Sequence, residues 1–541
     1  MHIPESRTGT WSSNRAFIWV AVGSCVGMGT MLRFPAQMQA FGAIAFLSAY
    51  LLCLLLIAWP ILAAEWGLGR WMRGDLVSGF ANTAETAGLT RRWRVLGGVM
   101  VVTAAMVLSY YSVIAGWGMA YLVRAVGGVL NAQALPALVN NYQELVGEPE
   151  RGLAWHTLFM VVTCVVVSRG FRSGVERLAM RVLPASMLVV SLLALVLLLR
   201  NDPPPDWQAL LAPKTSLLAL DLWLTAIREA FITAGLGLGA MMTLGAYLPS
   251  DLRLLPTAGI VIMLDIIFGV LTTMVLFLLG GGASTGTGFE LVFVGLPQAL
   301  PAGLSGVLIG TLVYGLLVVM SLTSAVVLLE VVTRFAMERW RHTRIDAATT
   351  SAAVIWALGV ACLWSFSGPA SLDTEQFSIF DALIVATAQL AAPVSALAVC
   401  VFAGRMIPPD LRRAVFGQAR GYCQPGCIQL DGQAVVLVAG KLVTSGELIQ
   451  VEVAYALPSE QVVLRVDLPA GATVRDAVTR SGLLARYPDI DLEHQRVGIY
   501  ARLVSLDDAV SVGDRVEVYR PLQADPKTAR RAKASRAAKA Q

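Results

Sequence analysis

Residues 23–29 read Gly-Ser-Cys-Val-Gly-Met-Gly and lie in the middle of the first membrane-length apolar segment. Glycine costs about 1 kcal/mol relative to alanine in a helix interior, so these glycines disfavour a continuous helix. Unwound backbone at membrane depth is tolerated only where it is buried in protein or lines a cavity. A broken first helix therefore predicts a binding site within the membrane, where freed carbonyls and helix ends hold an ion or a small solute.

The composition around this segment is that of a membrane protein. Of 541 residues, 56% are hydrophobic and 14% are charged, with a mean hydropathy of +0.67. Soluble proteins carry about 25% charged residues. The seven cysteines are scattered, so no disulfide framework is expected, and no cleavable signal peptide is expected at the N-terminus.

Ten apolar segments are predicted to cross the bilayer, which needs about 20 residues each. They lie near residues 14–40, 44–70, 96–127, 154–169, 180–199, 218–247, 255–281, 303–338, 350–366 and 376–403. Arginine-rich loops alternate with loops poor in Lys and Arg, which predicts cytoplasmic N- and C-termini in a bacterial inner (plasma) membrane. The shorter apolar stretch at 288–301 is expected to be a re-entrant or capping segment on the outer side.

A second glycine-rich interruption, Thr-Ala-Gly-Leu-Gly-Leu-Gly at residues 233–239, lies in the sixth segment. Segments one and six open the two halves of a ten-helix set. Matching interruptions in two halves indicate an inverted repeat with a site at its interface. The alternative is that these glycines only permit close helix packing, as in GxxxG pairs.

The composition changes after residue 404. Residues 405–448 are a predicted linker, in which Cys423 and Cys427 are either a metal or redox pair or two ordinary reduced cysteines. Strand patterns at 449–455, 462–468, 497–500 and 515–519, with a helix over 474–481 capped by Thr473, predict a soluble α/β domain at 449–526. Residues 1–10 form a predicted cytoplasmic segment, and the basic tail at 527–541 is expected near anionic lipid.

Motifs at both interruptions and in three other segments occur in one order along the chain. They are Gly-Ser-Cys-Val-Gly-Met-Gly-Thr-Met-Leu-Arg-Phe-Pro at 23–35, Pro60, Glu65-Trp66, Gly69-Arg70, Tyr110-Tyr111, residues 233–239 and Leu322-Thr323-Ser324. Together they resemble the neurotransmitter:sodium symporter family over residues 11–404. The resemblance implies a LeuT-like 5+5 inverted-repeat bundle of ten transmembrane helices, with helices 1 and 6 broken.

The C-terminal region resembles a second family. The segments Val-Glu-Val-Ala-Tyr-Ala-Leu-Pro at 451–458, Val-Gly-Ile-Tyr at 497–500 and Gly-Asp-Arg-Val-Glu-Val-Tyr-Arg-Pro-Leu at 513–522 are similar to the small RnfH proteins. This resemblance, over residues 449–528, implies a ubiquitin-like β-grasp fold. Such folds present a sheet surface to partners, so a protein partner of this domain is a hypothesis by analogy.

The resemblance implies two sodium sites of different quality. The first uses the carbonyls of Gly23, Val26 and Met320 with the hydroxyls of Thr323 and Ser324, and it is complete. Hard oxygen ligands of this kind suit the ion, although a Thr-Ser pair in a membrane helix often bonds to its own carbonyls instead. The second would use Cys25, Thr30, Thr233 and a residue near Val261 or Ile262.

Family members carry amide side chains where Thr30 and the Val261–Ile262 pair stand, so the second site is expected to be weak or lost. The prediction is one sodium ion per cycle. Asp265, one turn further along the seventh segment, is expected either to stay ionised against a cation or to exchange a proton. Chloride is not expected.

The substrate pocket implied by the resemblance is apolar. Its residues are Ser24, Cys25, Gly29, Val107, Tyr111, Ile232, Thr233, Gly235, Leu238, Ser324 and Leu328. Freed amides and helix N-termini at the breaks suit a carboxylate. Tyr111 resembles the tyrosine that binds this carboxylate, the alternative being an ordinary packed tyrosine. A neutral, apolar amino acid is predicted.

Charged residues are expected to gate this pocket. Arg33 and Asp381 match the outer pair of the family, with Glu229 able to join them, and Glu338 matches the acidic member of the inner gate. Thr8 stands where the inner arginine is expected, with Arg7 beside it, so the inner latch is in question. Glu65 is expected to accept backbone donors freed by the sixth-segment break.

Two functions follow from these observations. The first is a sodium-coupled secondary transporter of an amino acid that works by alternating access; the second is a non-transporting amino-acid sensor that signals through the β-grasp domain. An enzyme is not expected, because none of the four histidines (His2, His156, His342 and His494) falls in a predicted site. No nucleic-acid partner is expected.

Overall fold

The computed structural model describes most of the predicted membrane region and much of the C-terminal domain. The described residues are 10–131, 133–200, 207–249, 252–281, 288–366, 379–416, 448–456, 461–469, 472–487, 490–492, 495–500, 502–510 and 514–519. The chain divides into two compact units, Met1–Ala439 and Gly440–Gln541. The predictions for residues 1–9, for Cys423 and Cys427 and for the basic tail lie outside the described residues.

The first unit is helical. Among its described residues, eight helices are long and apolar enough to cross a membrane, and a bent helix pair makes a further span. We number the spans in chain order: span 1, Asn14–Cys25 with Met28–Phe41; span 2, Ala43–Met72; span 3, Arg91–Val126; span 4, Pro149–Ser168; span 5, Phe171–Arg200; span 6, Leu220–Thr233 with Ala240–Gly245; span 7, Leu254–Gly280; span 8, Leu304–Trp340; span 9, Arg344–Ser365; span 10, Ile379–Met406. The predicted helical membrane fold is confirmed. Span 6 consists of two helices that are each too short to cross alone.

Shorter helices connect or cover the spans. They are Leu76–Thr86, Leu135–Gly147, Trp207–Leu211, Leu296–Ala299 and Pro409–Phe416. The apolar stretch at 288–301 forms a buried π-helical turn, Leu291–Gly295, followed by Leu296–Ala299. It is too short to cross the membrane, as its length predicted.

Spans 3 and 8 lie at the centre of the bundle. Their most apolar stretches are 67% and 72% buried within the protein, whereas those of spans 4, 5 and 10 are 33% buried and turn more side chains outward. Outward-facing leucines such as Leu55 and Leu199 are apolar because lipid, not water, surrounds this surface. Spans 3 and 8 are therefore the supports against which the broken spans pack.

The second unit contains a five-stranded mixed sheet with the strand order β2-β1-β5-β3-β4. The strands are β1 Leu448–Ala456, β2 Gln461–Pro469, β3 Val497–Ile499, β4 Arg502–Val504 and β5 Arg515–Val518. β1 pairs antiparallel with β2 and parallel with β5, the arrangement of a β-grasp sheet. The alternating apolar residues of β1 and β5 form the core with the helix Val474–Arg480.

This sheet confirms the predicted β-grasp domain. Thr473 caps the helix through a reciprocal pair of hydrogen bonds with Asp476, so the predicted cap is also present. The sequence did not predict β4 or the short helix Leu483–Arg486. Three or four residues carry too little periodicity to identify an element.

Candidate functional site

The break in span 1 lies at Val26 and Gly27, where the two half-helices meet at 56°. Both residues have extended rather than helical backbone. A Cβ atom at Gly27 would lie 2.7 Å from Ser324 Oγ and 3.0 Å from Tyr111 Oη. The absence of a side chain at Gly27 therefore lets spans 3 and 8 approach the unwound backbone.

The break in span 6 covers residues 234–239. Gly235, Gly237 and Gly239 all have positive φ angles, between 60° and 73°, which glycine adopts without steric cost. The amide of Gly237 donates a hydrogen bond to Glu65 Oε1 over 2.8 Å, the contact expected of Glu65. A Cβ atom at Gly237 would lie 1.9 Å from the main-chain oxygen of Ala392. Spans 2 and 10 thus hold this loop.

The residues expected at the first sodium site come together where the span 1 break meets span 8. Ser324 Oγ donates to the main-chain oxygen of Gly23 over 3.0 Å and lies 3.4 Å from that of Ser24. Thr323 Oγ1 donates to the main-chain oxygen of Met320 over 2.9 Å. Thr323 thus bonds within its own helix, whereas Ser324 reaches across to span 1.

This donor set fits a sodium ion. The contributing groups are neutral hydroxyls and carbonyls, which are hard oxygen ligands, and the Thr323 and Ser324 side chains are buried. Val26, the remaining expected ligand, is the residue at which span 1 loses helical geometry. An ion bound here would replace the hydroxyl-to-carbonyl contacts, and the oxygen dipoles rather than a carboxylate would stabilise its positive charge.

The expected second sodium site retains polar groups but lacks amides. Cys25, Thr30 and Thr233 line one cavity. Thr30 Oγ1 and Asp265 Oδ1 are buried and have no hydrogen-bond partner among the described residues. Val261 is fully buried in the apolar core. The region therefore has carboxylate and hydroxyl oxygens but not the side-chain amides that members of the resembled family carry there.

A cavity lies between the two breaks, and every residue predicted to contact substrate lines it. Tyr111 contacts the span 1 break, because its Oη accepts a hydrogen bond from the Met28 amide over 3.2 Å. Sequence reasoning did not assign the other lining residues to substrate: they are Gly27, Met28, Thr30, Arg33, Tyr110, Phe231, Leu236, Ala240, Ala388 and Ala392. Ala388 and Ala392 bring span 10 to the cavity, and alanines in an apolar helix give no signal that would predict this.

An ion pair closes one side of the cavity. Arg33 Nε lies 3.3 Å from Glu229 Oε2, and the glutamate side chain is only 2% exposed. Arg33 also lines the cavity. Asp381, its expected partner, is exposed in the first turn of span 10. The ion pair in this structure therefore involves Glu229, the residue expected to join the pair.

The other end of the bundle carries Glu338. Its Oε1 lies 3.8 Å from Nε of Arg334, one turn earlier on span 8. Trp11 attaches the N-terminal segment at this end: its Nε1 donates to the main-chain oxygen of Leu244, and its amide to that of Tyr247, both over 3.3 Å. Thr8 and Arg7 lie outside the described residues.

Comparisons with known proteins find different similarities for the helical membrane unit and for the C-terminal unit. A family profile described as the sodium:neurotransmitter symporter family matches residues 8–145, and one described as RnfH family ubiquitin matches residues 449–533. The uncharacterized sodium-dependent transporter YhdH of Bacillus subtilis is 28% identical over 403 residues, which cover 74% of this chain and 88% of that protein.

Two further similarities support the division. Protein RnfH of Halorhodospira halophila is 57% identical over 95 residues, 18% of this chain and 97% of that protein. The crystal structure of MhsT in complex with L-phenylalanine superposes with a TM-score of 0.71 and 28% identity, covering 80% of this chain and 97% of that one.

Proposed function

Because the membrane part of this chain belongs to the sodium:neurotransmitter symporter family, and its C-terminal domain to the RnfH family, we propose that it is a sodium-coupled symporter of a neutral, apolar amino acid. The observation that carries this proposal is the contact between Ser324 and Gly23 beside a cavity built on two broken helices. One sodium ion binds there in each cycle, because the second site lacks amide ligands.

The cavity supports the substrate assignment. Its side chains are mostly aliphatic or aromatic, and Arg33, the one charged side chain among its described lining residues, is already paired with Glu229. A charged substrate side chain would have to be buried without a partner, which is costly. The substrate carboxylate binds Tyr111 and main-chain amides of the span 1 break. The complex of MhsT with L-phenylalanine supports an amino acid with a large apolar side chain as the substrate of this chain too.

Span 10 adds room for such a side chain. Ala388 and Ala392 line the cavity together with Phe231, and Gly235 contributes no side chain of its own. This opening between spans 6 and 10 is the part of the cavity that accepts the bulk of an aromatic or branched substrate.

The transport cycle moves the substrate between two gates. Arg33 and Glu229 form the outer gate, which Asp381 of span 10 joins during the cycle, and the Glu338 end is cytoplasmic. Asp265 is the buried acid whose charge state is coupled to the cycle. The protein lies in the bacterial inner membrane, and the β-grasp domain meets a protein partner in the cytoplasm.

A binding screen on the purified full chain tests this proposal. Thermal unfolding is followed with each of the twenty amino acids, in sodium or in potassium at equal ionic strength. We expect stabilisation by phenylalanine, leucine or methionine in sodium only, because ligands stabilise the state that binds them. Stabilisation by charged amino acids alone, or equal stabilisation in potassium, would contradict the proposal.

A further inference from the structure

Arg334 on span 8 is a buried arginine that contacts two other spans. Its side chain is 4% exposed. Its Cζ lies 4.4 Å from the ring centre of Tyr247, and its Nη2 donates to the main-chain oxygen of Arg73 over 2.6 Å. Burying a guanidinium is costly unless such contacts compensate for lost water. The position of Arg334 therefore depends on these partners staying in place.

The two partners end two different spans. Tyr247 follows the second half of span 6, and Arg73 is the residue that caps span 2. Arg73 itself reaches the same segment of span 6, since its Nη1 donates to the main-chain oxygen of Ala246 over 3.3 Å. Arg334 thus ties the ends of spans 2 and 6 to span 8 with one side chain.

The ring of Tyr247 is held on both faces and at its hydroxyl. Phe171 stacks on it at 3.7 Å with an interplanar angle of 10°, so Arg334 occupies the opposite face. The hydroxyl donates to Glu330 Oε1 over 2.9 Å, and Glu330 is bound by Arg344 from span 9. The end of span 6 cannot leave span 8 without breaking the Arg334 contact.

We propose that Arg334 is the gating residue that closes the cytoplasmic end of the transport path, by holding spans 2 and 6 against span 8; this inference rests on the proposed transport function. Opening that end separates Tyr247 and Arg73 from the guanidinium. In the open state the Arg334 guanidinium pairs with the Glu338 carboxylate, because Glu338 lies one turn away on the same helix and moves with Arg334. The present 3.8 Å separation of the pair shortens as the other contacts are lost.

The chemistry of arginine explains the choice of residue. Its planar guanidinium stacks on an aromatic face and at the same time donates hydrogen bonds from its edge. A lysine ammonium is less suited to both interactions. Arg334→Lys should therefore open the end partly, and Arg334→Gln should open it fully. Arg339→Gln is the matched control, because Arg339 is an exposed arginine five residues further along span 8.

Cys25 provides the test, because its thiol lines the cavity. With the other six cysteines replaced, the full chain in liposomes is treated with a membrane-impermeant thiol reagent from the side that carries Arg334. Arg334→Gln should raise the rate of Cys25 modification about tenfold, in keeping with the loss of a desolvated cation–π contact. Arg339→Gln should leave the rate unchanged.

Tyr247 gives an independent second pair of variants. Tyr247→Phe keeps the ring and should keep Cys25 protected, whereas Tyr247→Leu should expose it as much as Arg334→Gln does, with no further increase in the double variant. Hydrogen exchange of residues 240–247 in the chain with all native cysteines should rise in the same variants.

A Cys25 rate in Arg334→Gln equal to that of the unmodified chain, or an equal rise in Arg339→Gln, would overturn the inference. If Arg334→Gln does not fold, unchanged protection of Cys25 in both Arg334→Lys and Tyr247→Leu would also overturn the inference. Neither assay requires uptake, so a chain that moves no amino acid fails the transport proposal separately.

Discussion

The hydroxyl of Ser324 donates a hydrogen bond to the main-chain oxygen of Gly23 over 3.0 Å, although the two residues are 301 positions apart. The contact joins the central span 8 to the point at which span 1 unwinds. It brings together two of the oxygen atoms that a sodium ion would share. The proposed coupling of ion and substrate depends on this junction, because the same break forms a wall of the cavity.

Ser324→Ala and Thr323→Ala are expected to weaken sodium activation of transport. Each removes one neutral oxygen ligand, which should raise the sodium concentration for half-maximal uptake by about tenfold or more. Sodium activation of the unmodified chain should be hyperbolic, since one ion binds. Thr163→Ala is the control, because its buried hydroxyl bonds within span 4 to the main-chain oxygen of Phe159. Unchanged sodium activation in both site variants would remove the assignment of this ion site.

Ala388→Leu is expected to change the choice of substrate. The added side chain fills the part of the cavity beside span 10, so phenylalanine should bind about tenfold more weakly while alanine or valine binds as before. Ala386→Leu places the same side chain on the exposed face of the same span. Competition of unlabelled amino acids with labelled substrate measures both variants. Equal loss for large and small substrates would show that span 10 does not shape the pocket.

Gly237→Ala is expected to destabilise the membrane unit. The new Cβ atom would lie 1.9 Å from the Ala392 oxygen at a φ of +73°, and overpacking with backbone strain costs about 2–5 kcal/mol. Gly98→Ala, where nothing lies within 4 Å of the added atom, should leave the unfolding temperature in detergent almost unchanged. Similar unfolding temperatures for the two variants would contradict the packing of this loop on span 10.

The β-grasp domain should lose part of its stability in acid. Arg515 donates hydrogen bonds to Glu452 over 2.7 and 3.0 Å, which holds the pKa of the Glu452 carboxyl below its ordinary value. A lowered pKa means that the contribution is present above the unfolded pKa, about 4.3, and disappears as the pH falls through the folded value.

Glu452→Gln should therefore lower the unfolding temperature of residues 440–541 at pH 7 and have little effect at pH 3. Asp507→Asn is the control, because its carboxylate is 84% exposed and 3.9 Å from Arg475. A Glu452→Gln effect of equal size at both pH values would show that the charge is not the cause.

Both helix breaks were predictable from the sequence. Gly27, Gly235 and Gly237 occupy positions where a side chain is excluded or φ is positive, and such requirements leave glycine as a visible mark. The contact of Glu65 with the second break was predictable for a related reason. A carboxylate inside an apolar segment needs donors, and freed amides supply them.

Contacts between distant spans could not be predicted in the same way. Arg334 is one of several arginines near the end of span 8, and only the fold brings Tyr247 under its guanidinium. Ala388 resembles any other alanine in an apolar helix until span 10 is placed beside span 6. Span 5 begins at Phe171, earlier than predicted, because its first turn is helical but polar. Hydropathy detects the apolar part of a helix and not its polar ends.

Uptake of labelled L-phenylalanine into liposomes that contain the purified full chain tests the proposed sodium-coupled transport most directly. We expect accumulation under an inward sodium gradient, and we expect it to stop when the gradient is collapsed or sodium is replaced by potassium. Binding of phenylalanine without accumulation under any sodium or proton gradient would contradict transport and would favour the sensor.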